Sequence, residues 1–189
     1  MKAAPLISTF FVGALCGAGV MYAFFPHTAP GSNPNPVHNP GRVEVLRAGN
    51  TEPDAQEKAQ YTNAHYGFSL VYPASLAMHE VPGGDDAMTI VFQEAGAERG
   101  FQIFIVPYPD TQITKERIQK DLRGAPMNDV TEIVLPGSIH AVHFLSDAPV
   151  IGASSEVWFI YGGYLFEVTT YADQDRELAA ILSTLQVTK

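Results

Sequence analysis

The chain has 189 residues, 46% of them hydrophobic and 16% charged, which suits one folded domain with appendages and excludes a wholly disordered chain. The formal net charge is −9, and from Tyr61 onward 7 Lys/Arg stand against 16 Asp/Glu, so the acidity belongs to the C-terminal part. Such a surface argues against nucleic acid and anionic lipid headgroups as partners, since both need clustered Lys and Arg, and the single cysteine, Cys16, excludes an intrachain disulfide and a cysteine-rich zinc site.

Residues 1–25 come first. Ala3 to Phe25 reads "AAPLISTFFVGALCGAGVMYAFF" with no charged residue. As a helix these 23 residues span roughly 34 Å, enough for a bilayer core of about 30 Å. The run stays apolar past any small-x-small exit near Ala18, which predicts an uncleaved signal anchor over a cleaved signal peptide. A lipoprotein signal ending at Cys16 is the other alternative. It would normally have a small residue where Leu15 stands and a leucine where Gly13 stands. Lys2 precedes the span and no Lys or Arg lies between Phe25 and Gly41, so the positive-inside rule keeps the N-terminus cytoplasmic and exports the rest. The expectation is a single-pass membrane protein with its domain in the periplasm or on the cell surface.

Residues 26–60 read as a linker. "PHTAPGSNPNPVHNPG" carries prolines at 26, 30, 34, 36 and 40, which block helix and sheet hydrogen bonding and give an extended spacer. His27 and His38 are isolated within it. Arg42 to Gln60 is polar and mixed in charge, with a possible short strand at Val43–Leu46.

Residues 61–189 form the expected domain. Phe68–Tyr72 alternates as a strand that Pro73 ends. Further strands are expected at Leu76–Glu80, Ala87–Glu94, Phe101–Pro107, Asp129–Leu135, Ile139–Ser146, Ser155–Tyr161 and Tyr164–Tyr171, divided by Gly- and Pro-rich turns. Gly162-Gly163 between two apolar strands predicts a two-residue hairpin. Its register pairs Phe159 with Phe166 and Val157 with Val168 on one face, with Trp158, Ile160 and Leu165 on the other. Because both faces are apolar, the hairpin should lie inside a sheet covered on each side. One helix is expected over Thr114–Arg123, stopped by Gly124. A second is expected over Gln174–Leu185, capped by Asp173 or Asp175, with Leu178, Ile181, Leu182 and Leu185 as its buried stripe. Strand runs with separated helices give an α+β class, an antiparallel sheet covered by helices.

"YGFSLVYP" (66–73) resembles the opening signature of the PsbP/Mog-like superfamily, and "GYLFEVTTYA" (163–172) with "LSTLQV" (182–187) is similar to its closing pattern. The resemblance implies an α/β/α sandwich with no shared catalytic residue set. The matching residues Tyr66, Gly67, Phe68, Tyr72, Pro73, Gly163 and Phe166 are structural in character.

Candidate chemistry is sparse. His140 and His143 suggest a metal pair, but on a strand residues three apart point to opposite faces. His65 and His79 read as isolated surface residues. Asp85-Asp86, with Glu80 nearby, lacks EF-hand spacing and reads as a solvated turn. Ser138, Ser154 and Ser155 lie in no G-x-S-x-G elbow, and no phosphate-binding loop is present. No catalytic, metal or cofactor residue is assigned. The expected function is a membrane-anchored, extracytoplasmic, non-enzymatic binding module for a protein partner; the alternative is an extracytoplasmic enzyme of unrecognised type. Mass spectrometry of the membrane-extracted protein is expected to find the intact N-terminus, and a mature chain starting near residue 19 or at Cys16 would refute the anchor.

Overall fold

The structure, a computed structural model, describes residues 42–46, 57–148 and 152–188. The expected anchor, Cys16 and the proline-rich run at 26–41 lie outside the described residues, among which no helix is long and apolar enough to cross a membrane. The strands are β1 (Arg42–Leu46), β2 (Lys58–Asn63), β3 (Phe68–Pro73), β4 (Leu76–Pro82), β5 (Met88–Glu94), β6 (Gly100–Pro107), β7 (Met127–Leu135), β8 (Ile139–Ala148), β9 (Gly152–Tyr161), β10 (Tyr164–Tyr171) and β11 (Gln186–Val187). Helix α1 (Lys115–Asp121) lies between β6 and β7, and α2 (Asp175–Leu182) follows a 3-10 turn at Ala172–Gln174.

Seven strands form one antiparallel sheet in the order β4-β5-β6-β10-β9-β8-β7. Its middle is the β9–β10 hairpin. Gly162 and Gly163 turn it with φ of 61° and 85°, values that β-carbons disfavour and that match the twist of the flanking strands. The register pairs Phe159 with Phe166 and Val157 with Val168, as the apolar pattern requires. Burial is unbroken from Ser154 to Phe159 and from Leu165 to Thr170, because both faces of these strands are covered.

On one face α1 lays Ile118 among Val106, Tyr108, Phe144, Trp158 and Leu165. Its start is set by Thr114, whose hydroxyl accepts the Arg117 N–H at 3.1 Å, and its end by Gly124, whose N–H reaches the Gln119 carbonyl at 3.0 Å. The other face is covered by a four-stranded sheet, β1-β2-β3-β11, together with α2. β2 and β3 alternate between buried and half-exposed side chains, as a sheet with one wet face must. A run of rings joins the two sheets. Phe159 stacks on Phe166 at 4.7 Å, Phe166 meets Phe68 edge-on at 5.4 Å, and Tyr61 bridges Phe68 to Phe92 at 5.7 and 5.6 Å.

Some expectations change. The second face is covered chiefly by strands, with α2 beside them, where the sequence suggested helices. Lys58–Gln60, read as linker, begins β2, whose buried positions are Ala59, Tyr61 and Asn63. A small, an amphipathic and a polar residue do not register as an apolar stripe. α2 ends at Leu182, and Leu185 is buried beyond it in the turn to β11. Neither Asp173 nor Asp175 caps α2: Gln174 stands at the cap position but its side chain makes no bond to the helix's own N–H groups, and the Asp175 carboxylate turns to the sheet.

Nothing lies within 4 Å of a β-carbon built on Gly162 or Gly163, so substitution there costs backbone strain and no clash. Gly162→Val or Gly163→Val is expected to lower stability by about 1–3 kcal/mol. Unchanged urea midpoints for both variants would remove the turn assignment.

Candidate functional site

Helix α2 is pinned at its first turn from two sides. Arg99, in the β5–β6 turn, grips Glu177 with nitrogen–oxygen distances of 2.9 to 3.2 Å. Gln174 accepts the Gly100 N–H at 2.9 Å and donates to the Glu98 carbonyl at 2.8 Å. Position 100 must be glycine for a separate reason, its packing against β5: at φ 145° a β-carbon there would lie 2.0 Å from the Phe92 carbonyl oxygen. On the other side Asp175 Oδ1 accepts from Ser155 Oγ at 2.6 Å and faces His143 Nε2 at 3.0 Å. Ser155 and His143 project from β9 and β8, so the helix start is tied to the middle of the sheet.

The helix thus held forms one wall of a groove of about 580 Å³. Leu178, Ala179 and Leu182 of α2 line that wall, Ile133, Val134 and Leu135 of β7 line the other, and Val157 and His143 form the floor, with Asp175 at the helix start. The groove lies where α2 and β7 stand apart above Val157 and His143. An apolar cleft with a few polar groups at one end is the usual form of a binding site.

Serine, histidine and aspartate meet here, yet the arrangement is not a nucleophile's. A triad needs the carboxylate on one imidazole nitrogen and the serine on the other. Here Ser155 Oγ, at 3.1 Å, and Asp175 face the same nitrogen, Nε2. The Ser155 hydroxyl donates its hydrogen bond to Asp175, and the carboxylate, an acceptor, needs the imidazole N–H as its second donor. Ser155 is also fully buried. The cluster is a clip that holds α2. Sequence spacing could not find it, because Asp175 lies 20 residues from Ser155 and 32 from His143.

The other histidines and acids separate. His140 pairs across from Val134 and His143 from Thr131 and Val157, on the two opposite faces expected. Among the described residues no group of three His, Cys, Asp or Glu side chains is arranged to hold a metal ion. Asp85 and Asp86 lie exposed in the turn between β4 and β5, as expected, and Asp86 is in addition a tie. It faces His65 Nε2 at 3.0 Å, accepts the Tyr164 hydroxyl at 2.6 Å, and receives the Tyr66 hydroxyl on its carbonyl at 3.1 Å. His65 is therefore partnered, not isolated.

Sequence reasoning missed two acids on the α1 face. Glu156 is buried on β9 and takes hydrogen bonds from Ser154 (2.9 Å), Thr169 (2.7 Å) and Trp158 (3.3 Å). Burial nevertheless pushes its carboxyl up to about 7, against the opposing pull of these donors. Glu167, on β10 opposite Trp158, is raised well above the ordinary carboxyl range, first by burial and then by Asp121 and Glu156. Its Oε1, Gln102 Oε1 and Ser146 Oγ are buried without hydrogen-bond partners. The alternation of apolar residues across β9 and β10 hides these acids, which occupy positions where a core residue is expected.

A carboxyl raised by folding binds its proton more tightly in the native state. Stability is then full below the unfolded value of 4.5 and falls as pH rises toward about 7. Glu156→Gln can keep the same bonds, with its carbonyl toward Thr169 and Trp158 and its amide toward Ser154. The variant is expected to be more stable than the native chain at pH 8 by on the order of 3 kcal/mol, with a flatter profile between pH 4.5 and 7 in urea titrations. Parallel profiles for the two proteins would show that folding leaves the Glu156 carboxyl unshifted.

No family model and no curated protein matches the chain. Among solved structures it is similar to cyanobacterial PsbP (CyanoP) from Synechocystis sp. PCC 6803, at 13% identity over 75% of this chain and 98% of that one, with a TM-score of 0.49.

Proposed function

We propose that the chain is a non-enzymatic accessory module of PsbP/Mog-like type, anchored by residues 1–25, spaced from the membrane by the proline-rich linker, and bound through its domain to a protein in the same envelope. The observation that carries this reading is the groove between α2 and β7, about 580 Å³ in volume and lined mostly by aliphatic side chains. Its polar end is occupied by a clip whose buried serine hydroxyl donates its hydrogen bond to a carboxylate and not to the imidazole, which supports a reading without a histidine-activated nucleophile. The net charge of −9 supports a partner with a basic contact surface, since opposite fields speed encounter. A spacer of sixteen residues from Pro26 to Gly41, at about 3.1 Å each, reaches roughly 50 Å, which takes the domain clear of the headgroups.

The test is crosslinking and capture with the full chain from its own membranes. A partner held by the native chain is expected to be lost from Ala179→Glu, which places a charge on an exposed position of the groove wall. Its affinity is expected to weaken as salt rises from low to physiological strength. Capture unaffected by both changes would sink this reading, and turnover of a small molecule abolished by His143→Ala would replace it with the enzyme.

A further inference from the structure

Strand β7 ends the seven-stranded sheet, and among the described residues no strand lies beyond it. Its outer backbone N–H and C=O groups are therefore open over the stretch that pairs regularly with β8, Thr131 to Leu135. Each face of that edge carries aliphatic side chains, with Thr131 and Glu132 exposed among them. Ile133 and Leu135 look into the groove, while Val130 and Val134 are 51% and 65% exposed, the large hydrophobic residues left in solvent among the described residues. An exposed edge of this kind is normally blunted by lysine or proline. β7 carries neither; what guards it are the exposed carboxylates of Asp129 and Glu132 and a shift of register between Asn128 and Thr131.

Charge selects what fits. β7, β8 and β9 contain no Lys or Arg at all, and Asp129, Glu132 and Asp147 are exposed on them. The groove lining likewise holds no Lys or Arg. We propose that β7 is an acceptor strand: an extended partner segment alternating aliphatic with Lys or Arg residues adds to its free edge antiparallel or parallel, laying aliphatic side chains over the groove and setting its cations against Asp129 and Glu132. This deepens the binding-module reading and rests on it. Main-chain bonds would supply affinity and the alternate side chains specificity, as in other strand additions. A second copy of this chain fits poorly, because edge-to-edge pairing would bring Glu132 and Asp129 of two domains of charge −9 together. The chain's own residues 26–41 fit poorly as well, having no Lys or Arg.

The probe is a fluorescent peptide of alternating valine and lysine, titrated against the full chain in detergent at low salt. It is expected to bind, with hydrogen-exchange protection at Thr131–Leu135. Replacing its lysines by glutamate, N-methylating alternate residues, or changing Glu132→Lys is expected to weaken it at least tenfold. Glu132 is exposed, so its variant keeps the core, and the N-methylated peptide leaves the protein untouched. Equal affinity for the N-methylated peptide, or protection elsewhere than β7, would overturn the proposal. So would a dimer of this chain that dissociates in Glu132→Lys. A native partner that is still captured by Glu132→Lys but lost from Ala179→Glu would overturn the strand addition and leave the groove as the binding site.

Discussion

The structure depends on one hairpin that must be apolar on both of its faces. β9 and β10 sit in the middle of seven strands, so Phe159, Phe166, Val157 and Val168 enter one core while Trp158 and Leu165 enter the other. Register slips are costly here in a way they are not at an edge, since a shift of one residue would exchange the two cores. The Gly162-Gly163 turn sets that register locally, and every other strand of the large sheet takes its place outward from it. The same requirement makes the buried polar residues of the hairpin informative. Glu156, Glu167, Ser155 and Thr169 are tolerated only where a partner or a proton keeps them neutral or bonded.

The two cores are built differently, and the difference makes the groove. On the α1 face a single short helix of two turns suffices, because bulky Trp158, Phe144 and Tyr108 fill the space beneath it. On the opposite face the smaller sheet stacks rings onto the large one over β5, β6, β9 and β10. Helix α2 continues this layer only as far as its pins allow. Arg99 and Gln174 hold it toward the β5–β6 turn, and the Asp175 clip holds it over β8 and β9. Toward β7 the cover thins: Leu135 is still buried in the core, Ile133 is half-buried, and Thr131 is exposed. The opening is thus a consequence of where the helix is tied, with its apolar floor inherited from the sheet pattern.

The chemistry at the groove follows from hydrogen-bond direction more than from residue identity. Serine, histidine and aspartate within 3.1 Å of one another would be catalytic in another arrangement. Here the carboxylate accepts both hydrogen bonds and the imidazole has no lone pair toward the serine, so the group fixes geometry. Carboxylates outnumber cations along β7 to β9, which gives the open side of the domain one sign of charge. Apolar walls, an unpaired strand edge and a uniform negative rim are properties of a surface for recognition.

The sequence alone determined the central hairpin, its turn, its register and its two apolar faces, because these rest on neighbours a few residues apart and on a period of two. It also determined α1 and the stripe of α2, the opposite directions of His140 and His143, and the acidic charge of the domain. β2 was hidden because its inward positions are Ala59, Tyr61 and Asn63, which do not form a hydrophobic stripe, and β11 because two residues carry no period. Only the tertiary structure decided the second sheet, the clip of His143, Ser155 and Asp175, the tie of Asp86 to Tyr164 across 78 residues, and the groove that β7 leaves open. Each of these joins segments far apart in the chain through side chains whose types are common everywhere, so no local spacing marks them. Their positions follow from how layers of unequal width cover a sheet, and that is a property of packing.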